Sequence, residues 1–288
     1  MNKRLSLIAL IFSVLVSKSQ LPNTDLWLLK IEKDNQGQLG LTNPLNATNR
    51  YGYDNQPSFS DDGKKIYYVS IREDKQADIY TYDLGSKKNI SFTKTRISEY
   101  SPTLTDAGKS IASVVVEADS AQRIHFINTI SGLGEKKLDL DSVGYFMLLN
   151  SDTVIYYKLT QPHSLRYYVK STHEDKWLAD APIRTFRALN RHSFIYGIKD
   201  SLKVTFYVYN FLLHKATRFA EYPSPGEDIA WHPTYGLVKS EENKLLHFNS
   251  EKQVWILLFD LSTFPIKKIT RFAFDPKNKY LVVVDNIE

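Results

Sequence analysis

Cysteine is absent from all 288 residues. That excludes disulfides, thiolate metal sites, iron–sulfur clusters, cysteine nucleophiles and acyl-cysteine lipid anchors together. Whatever chemistry the chain performs must use oxygen and nitrogen. Glycine and proline are sparse, at 12 and 11 residues, so there is no collagen repeat and no linker-like stretch to divide the chain. A strong excess of one charge is missing too, with 37 basic against 32 acidic residues. What is abundant is apolar and aromatic: 42% hydrophobic, 13% Phe, Trp and Tyr. Such a chain folds rather than remaining disordered.

The first 19 residues read as a secretory signal. Lys3 and Arg4 precede an apolar run over residues 5–16, and Ser17-Lys18-Ser19 places small residues at both recognition positions of a cleavage site. Twelve residues fall short of the roughly 20 that cross a hydrocarbon core. Cleavage after Ser19 removes three basic residues and no acidic one, leaving a charge of +2 on residues 20–288. A nearly neutral exported protein lacks the basic footprint of a nucleic-acid binder. The expected location is the periplasm or the medium, soluble after cleavage and without membrane insertion.

Residues 20–288 are expected to form one domain. Short runs rich in Tyr, Phe, Val and Ile, such as 66–69, 79–82, 206–209 and 280–284, predict strands, and no long segment carries a helical apolar period. The strands repeat. Gln56-Pro57-Ser58-Phe59-Ser60-Asp61-Asp62-Gly63-Lys64 returns 45 residues later as Ser101-Pro102-Thr103-Leu104-Thr105-Asp106-Ala107-Gly108-Lys109. With Asp61, Asp106, Asn150, Asn190, His232 and Asp275 as anchors, the steps are 45, 44, 40, 42 and 43 residues, the spacing of propeller blades. Each of the six units reads as a four-stranded blade, with its third strand at 78–83, 124–128, 167–170, 205–209 or 245–248. The sixth unit ends after its second strand. Residues 25–30 resemble the third strand at 78–83, so 25–30 and 38–42 are predicted to complete the last blade and close the ring.

The Pro-x-[Phe/Leu]-[Ser/Thr]-Asp-x-Gly-Lys pattern at 57–64 and 102–109, with Phe274-Asp275-Pro276-Lys277-Asn278 and Asp78-Ile79-Tyr80, resembles the repeats of TolB-like six-bladed β-propellers. Two repeats match well and the sixth fairly; residues 143–260 are assigned by spacing. The resemblance implies an all-β, six-bladed ring around a channel, in a family whose exported members often act as protein-interaction scaffolds. It implies no catalysis. TolB carries a further domain before its propeller, for which no room is expected here, so the partner of TolB is not carried over.

Catalytic motifs are missing: there is no nucleophile elbow, His-Glu-x-x-His helix, phosphate loop or EF-hand loop. The seven histidines have no metal-ligand spacing, Asp139 and Asp141 read as a solvated connection, and the Asn46 and Asn89 sequons as chance matches. No metal and no cofactor is expected. The interleaved Arg166, Tyr167, Tyr168 and Lys170 follow strand alternation rather than a nucleic-acid surface.

Propeller geometry directs the site expectation. Segments entering the innermost strands converge at one mouth of the channel, and here they are polar. Asp54, Glu99, Tyr100, Tyr145, Arg184, Arg187, Glu227, Asp228 and Arg271 are the expected binding rim, with Arg for carboxylate or phosphate and Tyr for stacking. A ring of charges paired around water fits the same residues. The expected function is non-catalytic binding of an envelope protein or peptide by a monomer. The alternative is a propeller enzyme, a lactonase, lyase or glycan hydrolase, using Asp54, Glu99, Glu227 or Asp228 as metal ligands or as general acid and base.

Overall fold

A computed structural model describes residues 21–33, 35–93, 95–223 and 227–287. The predicted signal segment lies outside the described residues. Strands β1 (Thr24–Lys33) and β2 (Leu39–Asn46) come first. Blade 1 follows as β3 (Tyr53–Phe59), β4 (Lys65–Ile71), β5 (Ala77–Asp83) and β6 (Lys88–Ser91), and blade 2 as β7 (Ser98–Thr105), β8 (Ser110–Val116), β9 (Gln122–Asn128) and β10 (Gly134–Lys137). Blade 3 contains β11 (Val143–Leu148), β12 (Thr153–Lys158), β13 (Ser164–Val169) and β14 (Glu174–Asp180). Blade 4 contains β15 (Pro182–Asn190), β16 (Ser193–Lys199), β17 (Val204–Asn210) and β18 (Lys215–Tyr222). Blade 5 contains β19 (Ile229–His232), β20 (Gly236–Glu241), β21 (Lys244–Asn249) and β22 (Val254–Asp260). The last two strands, β23 (Ile269–Phe274) and β24 (Tyr280–Asn286), share a sheet with the first two.

Within every blade the strands run antiparallel in chain order, and the sixth blade is assembled from both ends of the described chain. β24 pairs β1 from Thr24↔Asn286 to Lys30↔Tyr280, and β2 covers the other edge of β1. The predicted closure is therefore the observed one. The core consists of apolar layers between neighbouring blades rather than one central mass. Leu26, Val282 and Val284 of blade 6 pack with Ile66 and Tyr68 of blade 1, while Leu29 and Val283 pack with Val238 and Leu245 of blade 5. Blades 3 and 4 meet through Ile155, Leu165, Phe186 and Phe194.

Four of the six repeat anchors, Asn150, Asn190, His232 and Asp275, have a common physical role. After the innermost strand, a side chain accepts hydrogen bonds from the amides of the following turn and fixes the hairpin. Asn150 Oδ1 accepts from Thr153 N at 2.8 Å, Asn190 Oδ1 from His192 N at 2.8 Å, and Asp275 Oδ2 from Lys277 N at 3.0 Å. In blade 1 the residue one further on does this, Asp62 Oδ1 accepting from Lys64 N at 3.0 Å. Gly63, Gly108 and Asn278 hold the left-handed conformation the turns need, with φ of 73°, 82° and 52°. This explains why the spacing persists where the sequence signature has faded: the turn needs an acceptor, not one residue type.

His232 fills the same position with an imidazole. Its Nδ1 accepts from Thr234 N at 3.1 Å and Tyr235 N at 3.3 Å, and the ring is buried between Tyr235 and Phe274. Burial, with a smaller contribution from His247, holds its pKa below the ordinary 6.5. Because the folded value is depressed, its stabilisation is complete above about 6.5 and is lost as pH falls through the folded pKa. Thermal unfolding of the wild type should therefore show Tm falling below that pH. His232→Asn should keep the turn acceptor and show a smaller fall over the same interval; an identical acid profile in the two proteins would refute this role.

Candidate functional site: an arginine-lined channel

The innermost strands do not run straight to the channel mouth. β3 shifts register between Asn55 and Ser58, and β7 between Tyr100 and Thr103. Gln56 and Ser101, one repeat apart, stand at these bulges with φ of 56° and 55°, a conformation uncommon for residues with a Cβ. They hold one another: Gln56 Oε1 accepts from Ser101 N at 2.5 Å. β11 and β23 also bulge, just before Tyr145 and Arg271. Bulges re-aim side chains, and here they turn residues from five strands toward a central cavity of about 340 Å³.

Five of the nine expected rim residues line this cavity: Tyr145, Arg184, Arg187, Asp228 and Arg271. Arg271 lies over the Tyr145 ring, its guanidinium carbon 5.3 Å from the ring centroid. Arg184 Nη2 donates to the Thr270 carbonyl at 2.9 Å, and Arg187 Nη1 to the Phe186 carbonyl at 3.0 Å. Asp228 is buried among the arginines. Its Oδ2 accepts from Phe272 N at 2.8 Å, and its Oδ1 has no hydrogen-bond partner among the described residues. Burial pushes the Asp228 carboxyl up, while Arg271, Arg187 and Arg184, in that order, and the Phe272 amide pull it back. Burial lowers the Arg187 pKa against the attraction of Asp228; a guanidinium nevertheless stays charged.

Glu227 sits beside the cavity, where Oε1 accepts from Lys199 Nζ at 2.8 Å and Oε2 lies 4.0 Å from Arg184 Nε. Tyr100 is half-buried, packed against the apolar layers on both sides of β7. Tyr53 belongs to the same neighbourhood: burial raises its pKa, and the charges that act on it next are Arg271, Tyr145 and Tyr100.

Asp54 and Glu99 lie elsewhere. Both are buried, at 0% and 1% exposure, and neither lines the cavity. Asp54 accepts from Ser70 Oγ at 2.5 Å and Arg50 Nη1 at 3.1 Å; Glu99 accepts from Thr93 Oγ1 at 2.5 Å and Thr95 Oγ1 at 2.7 Å. One repeat apart, they tie down the connections entering their blades. Burial pushes both carboxyls above the usual range, against those hydrogen bonds. The reason they miss the channel is strand alternation: consecutive side chains face opposite sides. Sequence reasoning missed in turn that Gln56, Ser101 and the prolines after them line the cavity. The signal was the repeat itself, whose first proline marks the bulge.

Chemically, the cavity presents three guanidinium groups to one carboxylate, with Tyr145, Phe146 and Phe272 among its walls. Arg forks fit carboxylate and phosphate oxygens two at a time, and aromatic walls take flat or apolar groups. Among the described residues, no three His, Asp or Glu side chains gather to hold a metal ion. Asp141, in the connection expected to be solvated, pairs with Lys158 at 3.0 Å. The sequon residues are engaged in structure: Asn46 Nδ2 donates to Asp25 and Asn89 Nδ2 to the Ala47 carbonyl, both at 2.7 Å.

No known family profile matches the chain, and no curated protein does. Solved structures do resemble it. A putative TolB from Agrobacterium tumefaciens has a TM-score of 0.64 at 9% identity, covering 93% of this chain and 99% of that one. A chain of a nidogen/laminin complex has 0.59 at 9%, covering 91% and 98%. An oligogalacturonate lyase in complex with manganese has 0.56 at 11%, covering 90% and 82%. At these identities the likeness is one of fold, and the chain folds as a six-bladed β-propeller.

Proposed function

We propose that the protein is an exported, non-catalytic propeller that binds a carboxylate-bearing segment of an envelope protein or peptide at its channel. The observation that carries this reading is the excess of Arg184, Arg187 and Arg271 over Asp228 in one open cavity with aromatic side chains in its walls. Asp228 serves there as a positioning residue, keeping the three arginines close despite their repulsion. Export rests on the basic and apolar run of residues 1–19. Among the described residues no helix is long and apolar enough to cross a membrane.

The fold leaves binding and catalysis open, since one similar structure is a nidogen/laminin complex and another a lyase holding manganese. The side chains weigh toward binding. Two of the four carboxylates that were candidates for catalysis, Asp54 and Glu99, are buried in hydrogen bonds away from the cavity.

The test is affinity. A partner recovered from envelope extracts on immobilised wild-type protein, and an acidic peptide from it, should bind Arg187→Ala or Arg271→Ala about ten- to a hundredfold more weakly, the loss of a charge-assisted pair. Unchanged affinity in both variants would overturn the channel as the binding site. Turnover of a lactone or uronate glycan by the same protein would establish the enzyme reading instead.

A further inference from the structure

The outermost strand of a blade exposes unpaired backbone groups, and soluble proteins guard such edges with charge, proline or shortness. Five blades here do so. β2 carries Pro44; β6 and β10 are four residues long with Lys88 and Lys137; β14 opens on Glu174, Asp175 and Lys176, and β18 carries Lys215 and Arg218. β22 has no proline, is seven residues long, and carries a charge only at its last residue, Asp260. From Val254 to Phe259 it reads Val-Trp-Ile-Leu-Leu-Phe, without charge or proline, and Val254, Ile256 and Leu257 are 45%, 37% and 50% exposed.

The charges flank it instead, with opposite signs. Lys252 precedes the strand and Asp260 ends it, both exposed. An antiparallel pairing centred on Ile256 sets that residue beside its own counterpart and Val254 beside Leu258, and brings Lys252 of each copy next to Asp260 of the other. The segment is thus self-complementary in hydrophobicity and in charge, as a two-fold interface requires. β22 also lies at the ring perimeter, its inner side hydrogen-bonded to β21 and its outer side free of any strand among the described residues.

We infer that β22 pairs with β22 of a second copy, joining two blades 5 into one eight-stranded sheet. This goes beyond the channel reading and does not depend on it, and it departs from the monomer expected from the sequence. A single seven-residue strand on each side buries less than the ~1,600 Å² of a standard interface, so the inferred dimer is a small-interface, reversible one to be sought over a concentration series.

The test uses two charge reversals at exposed positions. In sedimentation velocity over a micromolar concentration series, the wild type should pass from monomer to dimer. Lys252→Glu and Asp260→Lys should each weaken the dimer about tenfold, by setting like charges together at both ends of the pair. Mixed in equal amounts, the two variants should recover wild-type dimerisation. In the mixed dimer the new carboxylate at position 252 of one variant meets the new ammonium at position 260 of the other, and the unaltered Asp260 and Lys252 meet at the opposite end. Wild-type Tm in both variants shows that folding is intact; where Asp260→Lys lowers Tm, Val254→Lys replaces it and should abolish the dimer. A wild type that stays monomeric throughout, or a mixture no more dimeric than its parts, would overturn the inference. Binding of the channel peptide should be unchanged in either charge variant, so failure here and failure of the channel reading are distinguishable.

Discussion

Lys239→Met should stabilise the protein by about 2 kcal/mol at neutral pH. Lys239, in β20, is 1% exposed, and its Nζ has no hydrogen-bond partner among the described residues. It rests 3.1 Å from the centroid of the Tyr222 ring. Burial, opposed by Glu241, drops its pKa from 10.5 to about 8. At 1.36 kcal/mol per unit that drop makes the buried ammonium cost about 3 kcal/mol below pH 8. Contact with the ring face returns about 1 kcal/mol. Methionine has a similar length and no charge to desolvate. The sign of the pH dependence follows. The folded pKa lies below the unfolded one, so the wild type gains stability as pH rises from about 8 to about 10.5 and has none of that gain below 8. Lys239→Met should show no such rise. Chemical denaturation at several pH values decides it: a variant less stable than wild type at pH 7, or one with the same rise above 8, contradicts a buried charge at this site.

The second large effect concerns closure. Leu29 in β1 is 0% exposed and packs with residues of blades 5 and 6. Its strand is hydrogen-bonded to β24, more than 250 residues away along the chain. Leu29→Ala should cost about 3 kcal/mol, the loss expected for a leucine in a close-packed site. The same should hold for Leu281→Ala, its partner across the ladder. The two together should lower one cooperative transition, with a coupling energy above about 0.5 kcal/mol because the residues touch. A dispensable N-terminal strand would instead give little change for Leu29→Ala.

The architecture was legible because its constraints are local and periodic. Turn residues Gly63, Gly108 and Asn278, an acceptor after the inner strands of blades 1 and 3 to 6, and alternating apolar runs recur at blade spacing, and residues 25–30 repeat the pattern of 78–83. The third strand of blade 3 was the least well bounded, expected at 167–170 and found at Ser164–Val169, where the Asp-Gly turn has been lost. The channel was legible only in part. The approach segments were identified, but which member of each segment faces inward depends on bulges at Asn55–Ser58 and Tyr100–Thr103, and these break the two-residue period. Asp54 and Glu99 therefore read as rim residues although their oxygens are spent on Ser70, Thr93 and Thr95. Arg187 and Arg271, spaced 84 residues apart, meet only through ring closure. Nothing in a linear reading ranks that pair above the other charges nearby.

The channel is proposed above as the binding site for a carboxylate-bearing segment. The most direct measurement places a photoreactive residue at Tyr145, inside the cavity, and another at Leu133 on an exposed turn, and irradiates the living host. A discrete protein or peptide adduct should form from position 145 and be absent from position 133. It should disappear when Arg187 and Arg271 are both changed to glutamate. An adduct that survives the double change, or appears equally from both positions, would contradict the proposed site.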